Sequence, residues 1–148
     1  MVFMPFQPYD EMPEVLASSD ILLVLLERCA DTFSVPSKAL TYLCARRPVL
    51  GAMPAANLAT RLVQGAGAGI VVEPGDRVAF IAAARAMVAD AARRSELGRN
   101  ARTHAERTFD IGSIADRFEA ILVADGKQYP KAASVSPEGL TRHAPLGG

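Results

Sequence analysis

The sequence predicts an α/β chain built on a parallel sheet, and three observations carry that reading. Short apolar runs at residues 21–26, 48–52 and 69–72 alternate with segments whose apolar residues recur at helical spacing. The run Ile-Leu-Leu-Val-Leu-Leu at 21–26 is too uniformly apolar for a half-exposed strand, so it is expected in the middle of the sheet. Strands alternating with helices favour parallel pairing and right-handed crossovers.

In chain order, residues 2–4 are expected as a short strand. Residues 10–19 follow as a helix, with Asp10 as N-cap and Val15 and Leu16 on the inner face. After the strand at 21–26 come a loop at 33–37, a helix over about 36–45 and a strand at 48–52. Residues 57–64 read as helix, with Leu58, Leu62 and Val63 inward. The strand at 69–72 ends in the turn Glu73-Pro74-Gly75-Asp76. A helix over about 77–92 carries Phe80, Ile81, Ala84 and Val88, and a second covers 95–108. A last amphipathic helix spans 111–122, with Ile114, Phe118, Ile121 and Leu122 on one side. Beyond Gly126 the periodicity vanishes among Pro, Gly and Ser, so 126–148 is expected to be a disordered tail. A sheet of this kind normally holds more strands, so the chain is expected to be part of a larger protein, with the first βα units missing.

Equal numbers of basic and acidic residues, 16 of each, exclude the basic footprint of a nucleic-acid binder. Two cysteines make neither a disulfide framework nor a C-x-x-C pair. Cys44, in an apolar helix, is expected in the core, and Cys29 as a free thiol in a loop; a reducing, cytoplasmic setting fits both. The N-terminus lacks the regions of a signal peptide, and no apolar run is long enough to span a bilayer.

The helix at 36–45 opens just beyond a strand, where free backbone N–H groups and the positive end of the dipole favour anions. Lys38 lies in its first turn. A cation is unfavourable there unless an anion shares the site; otherwise Lys38 is a solvated residue whose stem covers apolar surface. Arg46 and Arg47 follow the helix, where cations suit its negative end. Glu27, Asp31 and Thr41 are the polar groups around the helix start, and a helical threonine often bonds its own backbone.

Other signals have structural readings. Gly65-Ala66-Gly67-Ala68-Gly69 lies in the order helix, glycines, strand, the reverse of a dinucleotide fingerprint, so the glycines cap a helix and turn the chain. Arg93, Arg94, Arg99, Arg102 and Arg107 interleave with Asp90, Glu96 and Glu106. That pattern reads as a solvated helix face, with contact to anionic lipid as the alternative. His104 and His143 have no second ligand at metal spacing, and no Asp-x-Asp pair offers a metal–diphosphate clamp.

Val35-Pro36-Ser37-Lys38, Tyr42-Leu43-Cys44-Ala45 and Arg47-Pro48-Val49-Leu50 together resemble the donor-binding half of GT-B glycosyltransferases. The most similar group is the bacterial family of retaining, nucleotide-sugar-dependent enzymes that build surface polysaccharides. Its members read P-S-K, an apolar residue or two, E-Y, then A-G-R-P-V. The segments 6–9 and 17–20, the stretch 66–76, and Thr108-Phe109-Asp110 agree as well, so the resemblance covers about residues 2–123.

The resemblance implies a partial Rossmann-like donor domain over 1–125 that holds a nucleoside diphosphate sugar in a cleft. Backbone N–H groups of Ser34 and Val35, with Ser37 and Lys38, would bind the diphosphate. Thr41 stands where the family has its ribose-binding glutamate. Asp31 takes the place of the first, catalytic glutamate when the loop text is matched; at fixed spacing from Thr41 that place falls on Phe33. Arg46 stands where the family has glycine. Gln7 and Tyr9 would approach the base. No metal and no cofactor is implied. The expected partners are the nucleotide-sugar and an N-terminal acceptor-domain chain, with peripheral contact at the inner face of the membrane, and the isolated chain is expected not to turn over. A sugar-nucleotide epimerase and a non-catalytic nucleotide- or partner-binding module are the competing readings.

Overall fold

The computed structural model describes residues 3–29 and 36–124. They form a mixed α/β structure, and the chain divides into two compact units, one through Asp110 and one from Ile111. The first holds a parallel three-stranded sheet in the order β1 (Leu22–Leu25), β2 (Val49–Ala52), β3 (Gly69–Val72), flanked by helices. This is the parallel Rossmann-like arrangement expected from the sequence. Registration is regular: Leu22 lies beside Val49, and Val49 beside Gly69.

β2, not β1, is the central strand, which corrects the placement of 21–26. Val49, Leu50 and Gly51 are all buried, whereas β1 alternates, with Leu23 49% and Leu25 65% exposed. The uniform apolarity of β1 reflected one covered face and one bare face. Phe3 and Met4 belong to no strand and are exposed, so the strand expected at 2–4 is absent among the described residues.

A 3-10 turn (Tyr9–Glu11) leads into α1 (Met12–Ala17). Asp10 lies inside that turn and caps nothing, because Pro13 near the start of α1 moves the helix onset downstream. Val15 and Leu16 are half-buried as expected. Between β1 and β2 lies α2 (Ser37–Cys44), and between β2 and β3 lies α3 (Leu58–Gly65). These two helices cover one face of the sheet: Val24, Ala39, Val49, Met53, Ala59 and Val63 form its buried cluster. Asn57, fully buried, starts α3 by accepting a hydrogen bond from the Ala59 N–H at 2.8 Å. Gly67, at φ 58°, turns the chain after α3 as the glycine pattern anticipated.

The opposite face is covered by α4 (Arg77–Ala89) and the start of α5 (Ala91–Thr108), around Leu50, Met87 and Leu97. The break between these helices falls at Asp90, not after residue 92, because Asp90 caps α5 through the Arg93 N–H. The inward face of α4 is Phe80, Ala83, Ala84 and Met87; Ile81 and Val88, which share the helical spacing read from the sequence, are exposed. α5 then crosses the amino-terminal edge of the sheet. Its Gly98 lies against the backbone of Arg46, Asn100 donates to the Gly67 carbonyl, and Ala101 and Ala105 join Leu43 and Ala68 beside α2 and α3.

The second unit contains α6 (Ile111–Ala124), the expected amphipathic helix, on which Ile114 is half-buried and Phe118, Ile121 and Leu122 are exposed. The segment expected as a disordered tail lies outside the described residues. No described helix is long and apolar enough to cross a membrane.

Candidate functional site

In a parallel sheet the strands end on one side, where the following loops and helix starts can meet a ligand. Here that edge carries the starts of α2, α3 and α4. Asn57 caps α3, and Asp76 caps α4 by accepting from the Ala79 N–H at 2.9 Å. Among the described residues the start of α2 has no side-chain cap: Pro36 precedes it, and its carbonyl accepts from the Ala39 N–H.

A groove of about 660 Å³ runs along α2. One wall is Tyr9, Met12, Pro13 and Leu16; the other includes Ser37, Lys38, Thr41 and Tyr42. Lys38 is the cation of this lining, and Tyr9 and Tyr42 supply its aromatic rings. The groove therefore offers flat apolar surface along its length and positive charge where α2 begins. An anionic ligand with a flat apolar portion matches both features.

Of the residues singled out in the sequence, Ser37, Lys38 and Thr41 meet in this groove, and Tyr9 faces them. The Thr41 hydroxyl donates to the Ser37 carbonyl at 3.1 Å, a bond within the helix. Asp31, Phe33, Ser34 and Val35 lie outside the described residues. Cys44 is exposed and lines the groove, contrary to the expected core position. It sits one residue beyond Leu43, which takes the inward position of that helical turn.

Arg28 escaped the sequence reading. Its guanidinium lies over Gly75 in the β3–α4 turn, 2.6 Å from where a Cβ would stand, so a cation sits at the carboxyl edge. Gly75, at φ 87°, is the sequence signal that could have marked the approach. The same edge is tied together by Glu73, which accepts from the Ala55 N–H at 3.0 Å.

Arg93, Arg94, Arg99 and Arg102 of α5 have local partners. Arg93 pairs with Glu96 at 2.7 Å and Arg102 with Glu106 at 2.6 Å, both exposed. The hydrogen bond and charge of Glu106 raise the Arg102 guanidinium above its ordinary range. Arg94 donates to the last carbonyls of α4 at Met87 and Val88, and Arg102 to the Cys44 carbonyl that ends α2. Arg47, expected at the end of α2, donates instead to the Ala17 carbonyl at the end of α1. His104 stacks edge-on against Phe109, and no metal-binding cluster exists among the described residues. His143 lies outside them. No family model matches the chain, and neither a curated protein nor a solved structure matches it significantly.

Proposed function

We propose that this chain is the donor-binding portion of a nucleotide-sugar-dependent glycosyltransferase. The observation that supports it is the meeting of Tyr9 and Tyr42 with Lys38 and the start of α2, which no described side chain caps, in one groove. In this reading the tyrosines flank the nucleobase and the α2 start receives the diphosphate. Transfer breaks the bond between the anomeric carbon and a diphosphate oxygen, so negative charge grows on the leaving group. Backbone N–H groups at the α2 start and the Lys38 ammonium stabilise that charge, with Asp31 as the acidic group carried over from the family resemblance. The sugar goes to a hydroxyl of a saccharide or lipid-linked acceptor, so an acceptor domain is the partner this reading calls for.

Thr41 favours a second reading. Its hydroxyl is bonded within its own helix, and it lacks the charge that grips a ribose, so the groove would bind a nucleotide without supporting transfer.

Titration with UDP-, GDP- and ADP-sugars, followed by backbone NMR, tests the site. The expected result is saturable perturbation at Ser37, Lys38, Thr41 and Tyr42 for one nucleotide, lost in Lys38→Ala. Absence of any such response at millimolar ligand would sink the proposal. Transfer upon addition of an acceptor-domain chain then separates the enzyme reading from the binding-module reading.

A further inference from the structure

We propose a second, separate anion site at the opposite edge of the sheet, specific for a soluble phosphate group. A polar cavity of about 490 Å³ lies there, where the segments entering β1 and β2 meet the start of α5. It is lined by Arg46, Arg47, Arg94 and Ser95, with Asp20 as the carboxylate in its wall. Among the described residues, no ion pair involves any of these arginines or Asp20. The lining thus carries a net positive charge that no described residue neutralises by contact.

The donors are only partly used. Arg47 donates through one terminal nitrogen to the Ala17 carbonyl, and its Nε is buried with no hydrogen-bond partner. That nitrogen is closed off from the cavity, so the donors Arg47 can offer a ligand are its remaining terminal N–H groups. Arg94 spends Nη1 on the Met87 and Val88 carbonyls, which holds the side chain in place while its other N–H groups remain. The Ser95 hydroxyl accepts from Arg99 at 2.8 Å, which leaves its own proton to donate.

Arg46 supplies a further observation. It is the non-glycine residue with positive φ among those described, at 58°, just after the end of α2. Glycine is the usual residue at such a position. An arginine held there keeps an exposed guanidinium at the cavity mouth. Guanidinium groups and a hydroxyl lining one cavity suit the tetrahedral oxygens of a phosphate through paired hydrogen bonds.

Backbone NMR titration of the intact chain with inorganic phosphate, against chloride at matched ionic strength, tests the site. The expected result is a saturable millimolar response at Arg46, Arg47, Arg94 and Ser95, absent with chloride. Arg46→Gly is expected to weaken binding about threefold to tenfold, the scale of one charge-assisted hydrogen bond at an exposed site. Because glycine accepts the backbone angle, the same variant should melt about 2–4 °C higher without ligand, which excludes misfolding as the cause. Asp20→Asn should tighten binding by removing the repelling carboxylate. Lys38→Ala should leave the phosphate response intact, which keeps this site independent of the nucleotide-sugar groove. A response equal to that of chloride, or an unchanged affinity in Arg46→Gly, would overturn the proposal. So would binding to phosphatidylglycerol vesicles with no response to inorganic phosphate, since a headgroup would then be the ligand.

Discussion

Gly98 meets the carbonyl oxygen of Arg46 so closely that a Cβ at Gly98 would stand 2.6 Å from it. Helix α5 crosses the end of α2 at this point, and only a residue without a side chain permits the approach. Inside a helix, alanine is intrinsically better than glycine by about 1 kcal/mol. Overpacking against backbone costs about 1–3 kcal/mol and decides the sign. The clash is with backbone, so the upper part of that range, about 2–3 kcal/mol, applies, and Gly98→Ala is expected to destabilise the chain by about 1–2 kcal/mol net, read as a lower urea midpoint. An unchanged midpoint would show that α5 crosses elsewhere.

Gly69 is the second close approach. A Cβ there would overlap the carbonyl oxygen of Val49, its neighbour across β2 and β3. Both sides of that contact are backbone in a hydrogen-bonded ladder, so neither can yield cheaply. Gly69→Ala is expected to cost more than Gly98→Ala, about 3 kcal/mol or more. Circular dichroism melts of the two variants side by side check the order.

Asn57 is fully buried and caps α3. Asn57→Ala removes the cap and strands a buried N–H, with an expected loss of about 1–2 kcal/mol. Asn57→Ser restores an acceptor and should recover part of the loss. Chemical denaturation of the three proteins measures both steps, and equal stability of the serine and alanine variants would argue against the cap as the cause.

Cys29 and Cys44 are both exposed, and Cys44 lines the groove. Maleimide is expected to modify both thiols in the native chain, as read by intact mass. A bound nucleotide-sugar should slow the reaction at Cys44 and leave Cys29 unaffected. Equal protection at both positions would mean that the ligand acts by stabilising the fold, not by covering the groove.

Thr41 offers a gain-of-function test of the proposed donor site. Thr41→Glu replaces a hydroxyl bonded within α2 by a carboxylate that can accept from ribose hydroxyls. A charge-assisted hydrogen bond of about 1.5 kcal/mol corresponds to roughly tenfold tighter binding. Calorimetry with the nucleotide-sugar that binds the natural chain measures it. Weaker binding would place the ribose away from residue 41.

Much of the fold was legible from local patterns. The strands at 48–52 and 69–72, the helix starting at Asn57 and the helix over α2 follow from apolar periodicity and turn residues, which are properties of short segments. The failures share one cause. Leu23, Leu25, Ile81, Val88 and Cys44 are apolar residues whose burial depends on what lies opposite, and no described residue buries them. Asp90 falls within a continuous helical pattern in the sequence, and its role as a cap appears only where the chain changes direction.

At the candidate sites the same division holds. The α/β class, the helix that opens after β1 and the cation in its first turn were legible in the chain alone, because each depends on neighbours within a few residues. That β2 is central, that Tyr9 faces Lys38 across a groove, and that Arg46, Arg47 and Arg94 line a common cavity emerged with the folded arrangement. Tyr9 and Lys38 lie far apart along the chain, as do Arg46 and Arg94. Strand order, the crossing of α5 and the meeting of such residues follow from long-range packing, where backbone contacts such as Gly98 against Arg46 select one arrangement.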